Sequence, residues 1–174
     1  MTTPLWSPSQ KAVIESALTR LSKKASKLSG NDLSSYSDLH NWSITEVDAF
    51  WNLVWEDTGV IGDKGDLAFL PGKSFIDAKF FPESQINVAE NILNRGPDDK
   101  VAIVEILEDG SRSEITWKEL REKVAATTAA LRAEGITTGD RICAWTPNVT
   151  ETMIYSLAAL AIGAIVSTAS TDFA

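Results

Sequence analysis

Apolar residues recur along this chain at two different spacings, and the change comes near residue 100. Before it the spacing is helical. Ile14, Ala17, Leu21, Ala25 and Leu28 follow at intervals of three and four, and Gly30 stands where such a helix would stop. Ser7-Pro8-Ser9-Gln10 predicts its start, with Ser7 as N-cap, Pro8 at the first helical position and Gln10 three after the cap. Ser43-Ile44-Thr45-Glu46 reads as a second capping box. Behind it Val47, Phe50, Trp51, Val54 and Trp55 form one broad apolar face that ends at Gly59. Residues 59–82 hold four Gly and two Pro, which predicts irregular chain wrapping a surface. Asn87 to Asn94 predicts a short helix.

After residue 100 the rhythm becomes that of strands alternating with helices. "VAIVEILEDGSRSEITW" is a strand, an Asp-Gly turn and a return strand, the chemistry of a hairpin. Thr116 and Glu119 box the start of a helix with Leu120, Val124, Thr127 or Thr128, and Leu131 on its inner face, closed by Gly135. "DRICAWT" is the next strand. Asn148 with Glu151 caps a helix that runs to Gly163, and "AIVST" is a third strand. Strand, helix, strand, helix, strand is the order of parallel βαβ units. The fold class expected is therefore α/β: a helical N-terminal cap over residues 1–99, then a hairpin and a βαβαβ parallel-sheet segment over 100–174. Trp42, Trp51 and Trp55 are expected to fill the seam between the cap and the sheet, the other reading being a contact face for a partner.

Composition narrows the function classes. The chain of 174 residues is 44% apolar and 23% charged, enough for a real core in a soluble protein. Its 24 acidic and 16 basic side chains leave a net charge of -8, which repels phosphate backbones and argues against nucleic acid as a partner. A lone cysteine, Cys143, excludes an internal disulfide and a cysteine-cluster metal site, and its place in a strand predicts a buried, inert thiol. No secretory signal or membrane-spanning run is present, so no membrane partner is expected and the location expected is cytoplasmic.

Candidate chemistry is sparse. Gly72-Lys73-Ser74 could close a phosphate-binding loop, but that motif needs a glycine at position 67, where Leu stands, and no helix pattern follows. Gly59, Gly62 and Gly65 do not fit a dinucleotide fingerprint. His40 has no ligating neighbour and reads as a surface or capping residue. No nucleophile, base and oxyanion site can be assembled from these residues, so the catalytic set is empty.

Several stretches together resemble acyl-CoA synthetases of the adenylate-forming superfamily. "ITWKELREKVAATTAALRAEGITTGDRICAWTPNVTETMIYSLAALAIGAIVSTAS" is similar to the superfamily's opening strand–helix segment, through its Gly-Asp-Arg before a strand and its Pro-Asn-x-x-Glu at a helix start. Within the superfamily, "KFFPESQINVAENILNR", "STASTDFA" and "YSDLHNWSITEVDAFWNLVW" resemble the acetoacetyl-CoA synthetase family. Phe80 stands where Trp is usual there, Glu83-Ser84 where Gly-Ala is usual, and Ile86 for Leu. Thr171 stands for Pro and Ala174 for Gly.

The resemblance implies an N-terminal piece of a larger adenylate-forming fold, several times longer than this chain. It implies ATP, Mg²⁺ and CoA as cofactors of the full-length enzyme, acetoacetate as its acid and none of these bound to the piece, which alone would be inactive. Its catalytic lysine and phosphate loop would lie beyond Ala174. Phe173 and Ala174 would belong to a loop beside the CoA channel, which makes them the cofactor-binding candidates. Truncation of a parallel sheet predicts an apolar patch on the helix 149–162 or on the last strand, and a dimer through it. Alternatives are an acetyl- or propionyl-CoA synthetase, an interaction domain using the Trp-rich cap, and a small flavodoxin-like binder, which has too few strands.

Overall fold

A computed structural model describes residues 5–172. The chain divides into two compact units, Met1–Gln85 and Ile86–Ala174. The first holds helices α1 (Gln10–Ile14), α2 (Ala17–Ser29), α3 (Tyr36–Thr45) and α4 (Val47–Thr58). Three very short strands follow, β1 (Gly62–Asp63), β2 (Phe69–Leu70) and β3 (Lys79–Phe80), with a 3₁₀ turn over Phe75–Asp77.

The single helix expected over the first thirty residues is two. Ser9, not Ser7, caps α1 by accepting the Ala12 N–H at 3.2 Å. Ser16 then caps α2 through the Thr19 N–H at 3.1 Å, while the Thr19 hydroxyl donates back to the Val13 carbonyl at 2.6 Å. Two hydroxyls thus offer backbone groups an alternative to the helical ladder, and the helix stops and restarts there. Gly30 ends α2 at φ 72, as expected. The expected capping box at Ser43 does not form, because α3 runs through it and the Ser43 hydroxyl donates to the His40 carbonyl at 2.7 Å.

The core of this unit is Ala25, Leu33, Leu39, Trp42 and Leu53. Trp42 is buried, whereas Trp51 and Trp55 are half-buried and rest on Phe80 and Phe81 at centroid distances of 5.0 and 4.8 Å. Phe81 takes a left-handed φ of 46, uncommon for a bulky residue, with its N–H bonded to the Ala68 carbonyl at 2.9 Å. Asp48 pins β2 to α4 by accepting the Ala68 and Phe69 N–H groups, each at 3.2 Å. Asp57 on α4 joins Arg20 and Lys24 of α2 at 3.0 and 2.7 Å, its side chain only 5% exposed.

Strand β4 (Gln85–Ile86) leads into the second unit. There α5 (Val88–Leu93), β5 (Val101–Ile106), β6 (Arg112–Thr116), α6 (Trp117–Ala133), β7 (Arg141–Trp145), α7 (Thr150–Ile162) and β8 (Ile165–Ala169) follow in order. The hairpin β5–β6 is antiparallel as expected, with Ile103 opposite Ile115 and Ile106 opposite Arg112. The Thr116–Glu119 capping box forms with both arms. Leu120 and Val124 of α6 meet Ile154, Leu157 and Ala158 of α7 and the wholly buried Ala89 of α5 in one core.

Two expectations fail in this unit, and a third holds in one of its two forms. A continuous βαβαβ sheet does not form among the described residues: β7 and β8 pair in parallel, but β6 pairs with β5 alone. Consecutive strands are neighbours only roughly two-thirds of the time, and here α6 packs chiefly on α7. Cys143 is exposed rather than buried. Strand alternation half-buries Ile142 and Ala144 and leaves Arg141, Cys143 and Trp145 on the uncovered face of the pair. Of the two places expected for an apolar patch, the helix is excluded, since α7 buries Ile154, Leu157, Ala158, Ala159 and Ile162, and the last strand agrees, with Ile165 55% exposed beside Trp145 of β7 at 65%.

Candidate functional site

A parallel strand pair with a crossover helix presents its loops at the carboxyl ends of the strands, where open α/β folds bind ligands. Here that edge follows Trp145 and Ala169, which face each other in the register of β7 and β8. The two loops leaving it, residues 146–149 and 170–172, are tied together. The Thr146 N–H donates to the Ala169 carbonyl at 3.1 Å, and the Trp145 indole N–H donates to the Ser170 carbonyl at 3.0 Å. Within the second loop the Ser170 hydroxyl donates to Asp172 at 3.0 Å and accepts the Asp172 N–H at 3.2 Å. Within the first, the Thr146 and Thr152 hydroxyls lie 3.0 Å apart, and Thr152 donates to the Pro147 carbonyl at 2.9 Å.

Helix α7 begins beside this edge, and the expected Asn148–Glu151 cap is absent. Val149 is the N-cap residue and makes no side-chain cap bond. The Glu105 carboxylate, from the hairpin, accepts the Thr150 N–H at 2.6 Å instead, with Ser113 donating to its other oxygen at 3.1 Å. The Thr150 N–H first, then the Ser113 and Thr150 hydroxyls, hold the Glu105 carboxyl below its ordinary value against the opposing effect of burial. A negative charge at a helix N-terminus is also favoured by the helix dipole.

At the other end of α7 sits the segment that carries the narrower resemblance. The Asn87 side chain accepts the Glu90 N–H at 3.1 Å, capping α5, while its amide donates to the Leu160 and Ala161 carbonyls at 3.1 and 3.3 Å. Asn91 donates to the Asn87 carbonyl at 3.0 Å. Arg121 closes the far end of α5 through the Leu93 and Gly96 carbonyls and Asp98. Gly96 is required there, since a Cβ would fall 1.9 Å from the Trp117 indole nitrogen. The "INVAENILNR" run is therefore a docking element for α7.

Of the two residues singled out for cofactor binding, Phe173 and Ala174 both lie outside the described residues. The loop that leads to them does leave the carboxyl edge of a parallel strand. Glu105 and Trp145 carry ties that periodicity does not reveal, because each contact spans tens of residues in sequence. The edge offers hydroxyls and backbone groups. Among the described residues no cluster of His, Cys, Asp or Glu could hold a metal, and no helix is long and apolar enough to cross a membrane.

The strand–helix–strand unit, with the hairpin that precedes it, lies within residues 89–174, which match the model of the AMP-binding enzyme family. The chain's relatives narrow the class. Acetoacetyl-coenzyme A synthetase of Rhizobium meliloti (strain 1021) is 40% identical over 171 residues, covering 98% of this chain and 26% of that protein. The solved structure of acetoacetyl-CoA synthetase from Streptomyces lividans superposes with a TM-score of 0.83 at 30% identity, over 98% of this chain and 27% of that one. Malonamoyl-CoA synthetase vrtB of Penicillium aethiopicum is 30% identical over 157 residues, covering 86% of this chain and 22% of the relative. The chain thus spans about a quarter of the length of the curated relatives it matches.

Proposed function

We propose that this chain is the N-terminal part of an AMP-forming acid–CoA ligase whose acid is acetoacetate. The observation that carries the reading is the alignment of 98% of the chain with an acetoacetyl-CoA synthetase at 40% identity. The malonamoyl-CoA relative supports the acid class, since acetoacetate and malonamate both carry a carbonyl β to the carboxylate. In the proposed reaction a carboxylate oxygen of the acid attacks the α-phosphorus of ATP and pyrophosphate leaves. The CoA thiol then loses its proton and attacks the acyl carbon, releasing AMP with the electrons of the broken acyl–oxygen bond.

This chain's share is scaffold and acceptor-side loop. The groups that stabilise the adenylation step, a lysine and Mg²⁺, belong to the rest of the enzyme, and no Mg²⁺ site is assigned to these residues. By the resemblance, Phe173 and Ala174, which follow the β8 loop in sequence, are the residues assigned to CoA binding. The substrates are small molecules, and the cytoplasm is the compartment that fits the composition.

A chimera tests the reading: this chain replaces the matching quarter of the Rhizobium meliloti enzyme. Thioester formation is followed by loss of CoA thiol with acetoacetate, malonamate, acetate and propionate. Acetoacetate should be the preferred acid. A folded chimera that uses acetate or propionate better would overturn the assignment of the acid, and one that uses none would overturn the ligase. Ala174→Trp in the active chimera should lower thioester formation by an order of magnitude or more while adenylation survives, because overpacking a channel costs about 1–3 kcal/mol. Equal loss of both half-reactions would remove Ala174 from the channel.

A further inference from the structure

Trp145 is a large apolar side chain left 65% exposed at the end of β7, yet its one polar atom is committed. An indole N–H that exposed could be satisfied by water. Instead it reaches 25 residues along the chain to the carbonyl of Ser170, the first residue after β8, at 3.0 Å. Just before it the Thr146 N–H bonds the Ala169 carbonyl at 3.1 Å, so two successive carbonyls at the end of β8 are held from β7. The loop beyond is closed on itself through Ser170 and Asp172, and its direction is therefore set at Ser170. Loops at this edge of a parallel pair are where ligands meet the fold.

We propose that Trp145 is a positioning residue: its indole N–H fixes the Ser170 carbonyl and so aims the 170–172 loop at the acceptor-thiol side of the enzyme. The proposal rests on the reading of this chain as part of an acid–CoA ligase. Trp145 touches no reacting atom in it. What it supplies is an orientation that adenylation does not need and thioester formation does.

Trp145→Phe keeps the ring on the strand and removes only the N–H, so the fold of β7 is retained. In the active chimera KM for CoA should rise about three- to tenfold, the range of one hydrogen bond lost at a partly exposed site, with acetoacetate-dependent pyrophosphate exchange unchanged. A merely structural Trp145 would lower both half-reactions together, and that result overturns the proposal. No change in either also overturns it, with the ligase reading intact. An inactive parent chimera would count against the ligase reading and not against the bond. The bond is judged separately on the 174-residue chain itself, where the indole ¹⁵N–H signal lost in Trp145→Phe should exchange with solvent more slowly than the signal of the exposed Trp6. Equal exchange would show that Ser170 is not held.

Discussion

Asp57 shows how much a single side chain can commit. Held by the Arg20 guanidinium first and then by the Lys24 ammonium, its carboxyl is pulled from an ordinary 3.8 to about 2. A carboxyl lowered in the folded state contributes stability above its unfolded value, and the contribution is lost as pH falls through the folded one. Arg20 and Lys24 are themselves half-exposed, so screening reduces the full linkage energy to on the order of 1–2 kcal/mol. Asp57→Asn should therefore lower the urea midpoint at pH 6, and the gap to the parent should close between pH 4 and pH 2. A gap that stays constant across that window would show that the ion pair contributes nothing. Thr128 is the opposite case, its hydroxyl buried in α6 with no hydrogen-bond partner. Thr128→Val keeps the β-branched shape and should raise stability by about 1 kcal/mol, read as a higher melting temperature. A loss would mean that the hydroxyl has a partner in solution.

Single residues were legible where the signal is local. The Thr116–Glu119 box follows from side chains reaching three residues away, and Gly30 and Gly163 end helices because glycine takes the left-handed φ that the C-cap needs. The failures share the opposite character. Ser43 has cap chemistry but its hydroxyl donates to the His40 carbonyl, and beside Asn148 the Thr150 N–H is taken by a distant Glu105 instead. Cys143 is exposed because only one face of the β7–β8 pair is covered, and strand alternation puts it on the other face with Arg141 and Trp145.

Elements are held by side-chain bonds between their ends as much as by their faces. Asn87 joins two helices, capping the start of α5 and satisfying two carbonyls in the last turn of α7. Helix termini leave such carbonyls without intrahelical partners, so one amide here does the work of two caps. Asn87→Ala should cost about 2–3 kcal/mol, a cap of about 1 kcal/mol plus the loss of the bonds to α7, measured by urea unfolding. A cost below about 0.5 kcal/mol would show that α5 docks through Ala89 and its apolar neighbours alone. The hairpin and the last βαβ unit were readable from periodicity and turn residues. That β6 and β7 do not pair with each other was not, since strand adjacency depends on how α6 and α7 pack and no local pattern encodes it.

On the scale of the whole molecule, a net charge of -8 and a capped, helix-covered strand pair suit small-molecule chemistry better than nucleic-acid binding. The candidate site was only partly legible: the strand-end loop was recognised by its place in the fold, but its clamp, Trp145 to Ser170, joins residues that no spacing rule connects. The central claim is that this chain is one necessary part of an acetoacetate-activating ligase and lacks the chemistry by itself. Acetoacetate-dependent exchange of labelled pyrophosphate into ATP tests it most directly, run side by side on the isolated chain and on the Rhizobium meliloti chimera. The account predicts no exchange by the isolated chain and clear exchange by the chimera. Turnover by the isolated chain, or a folded chimera with none, would contradict it.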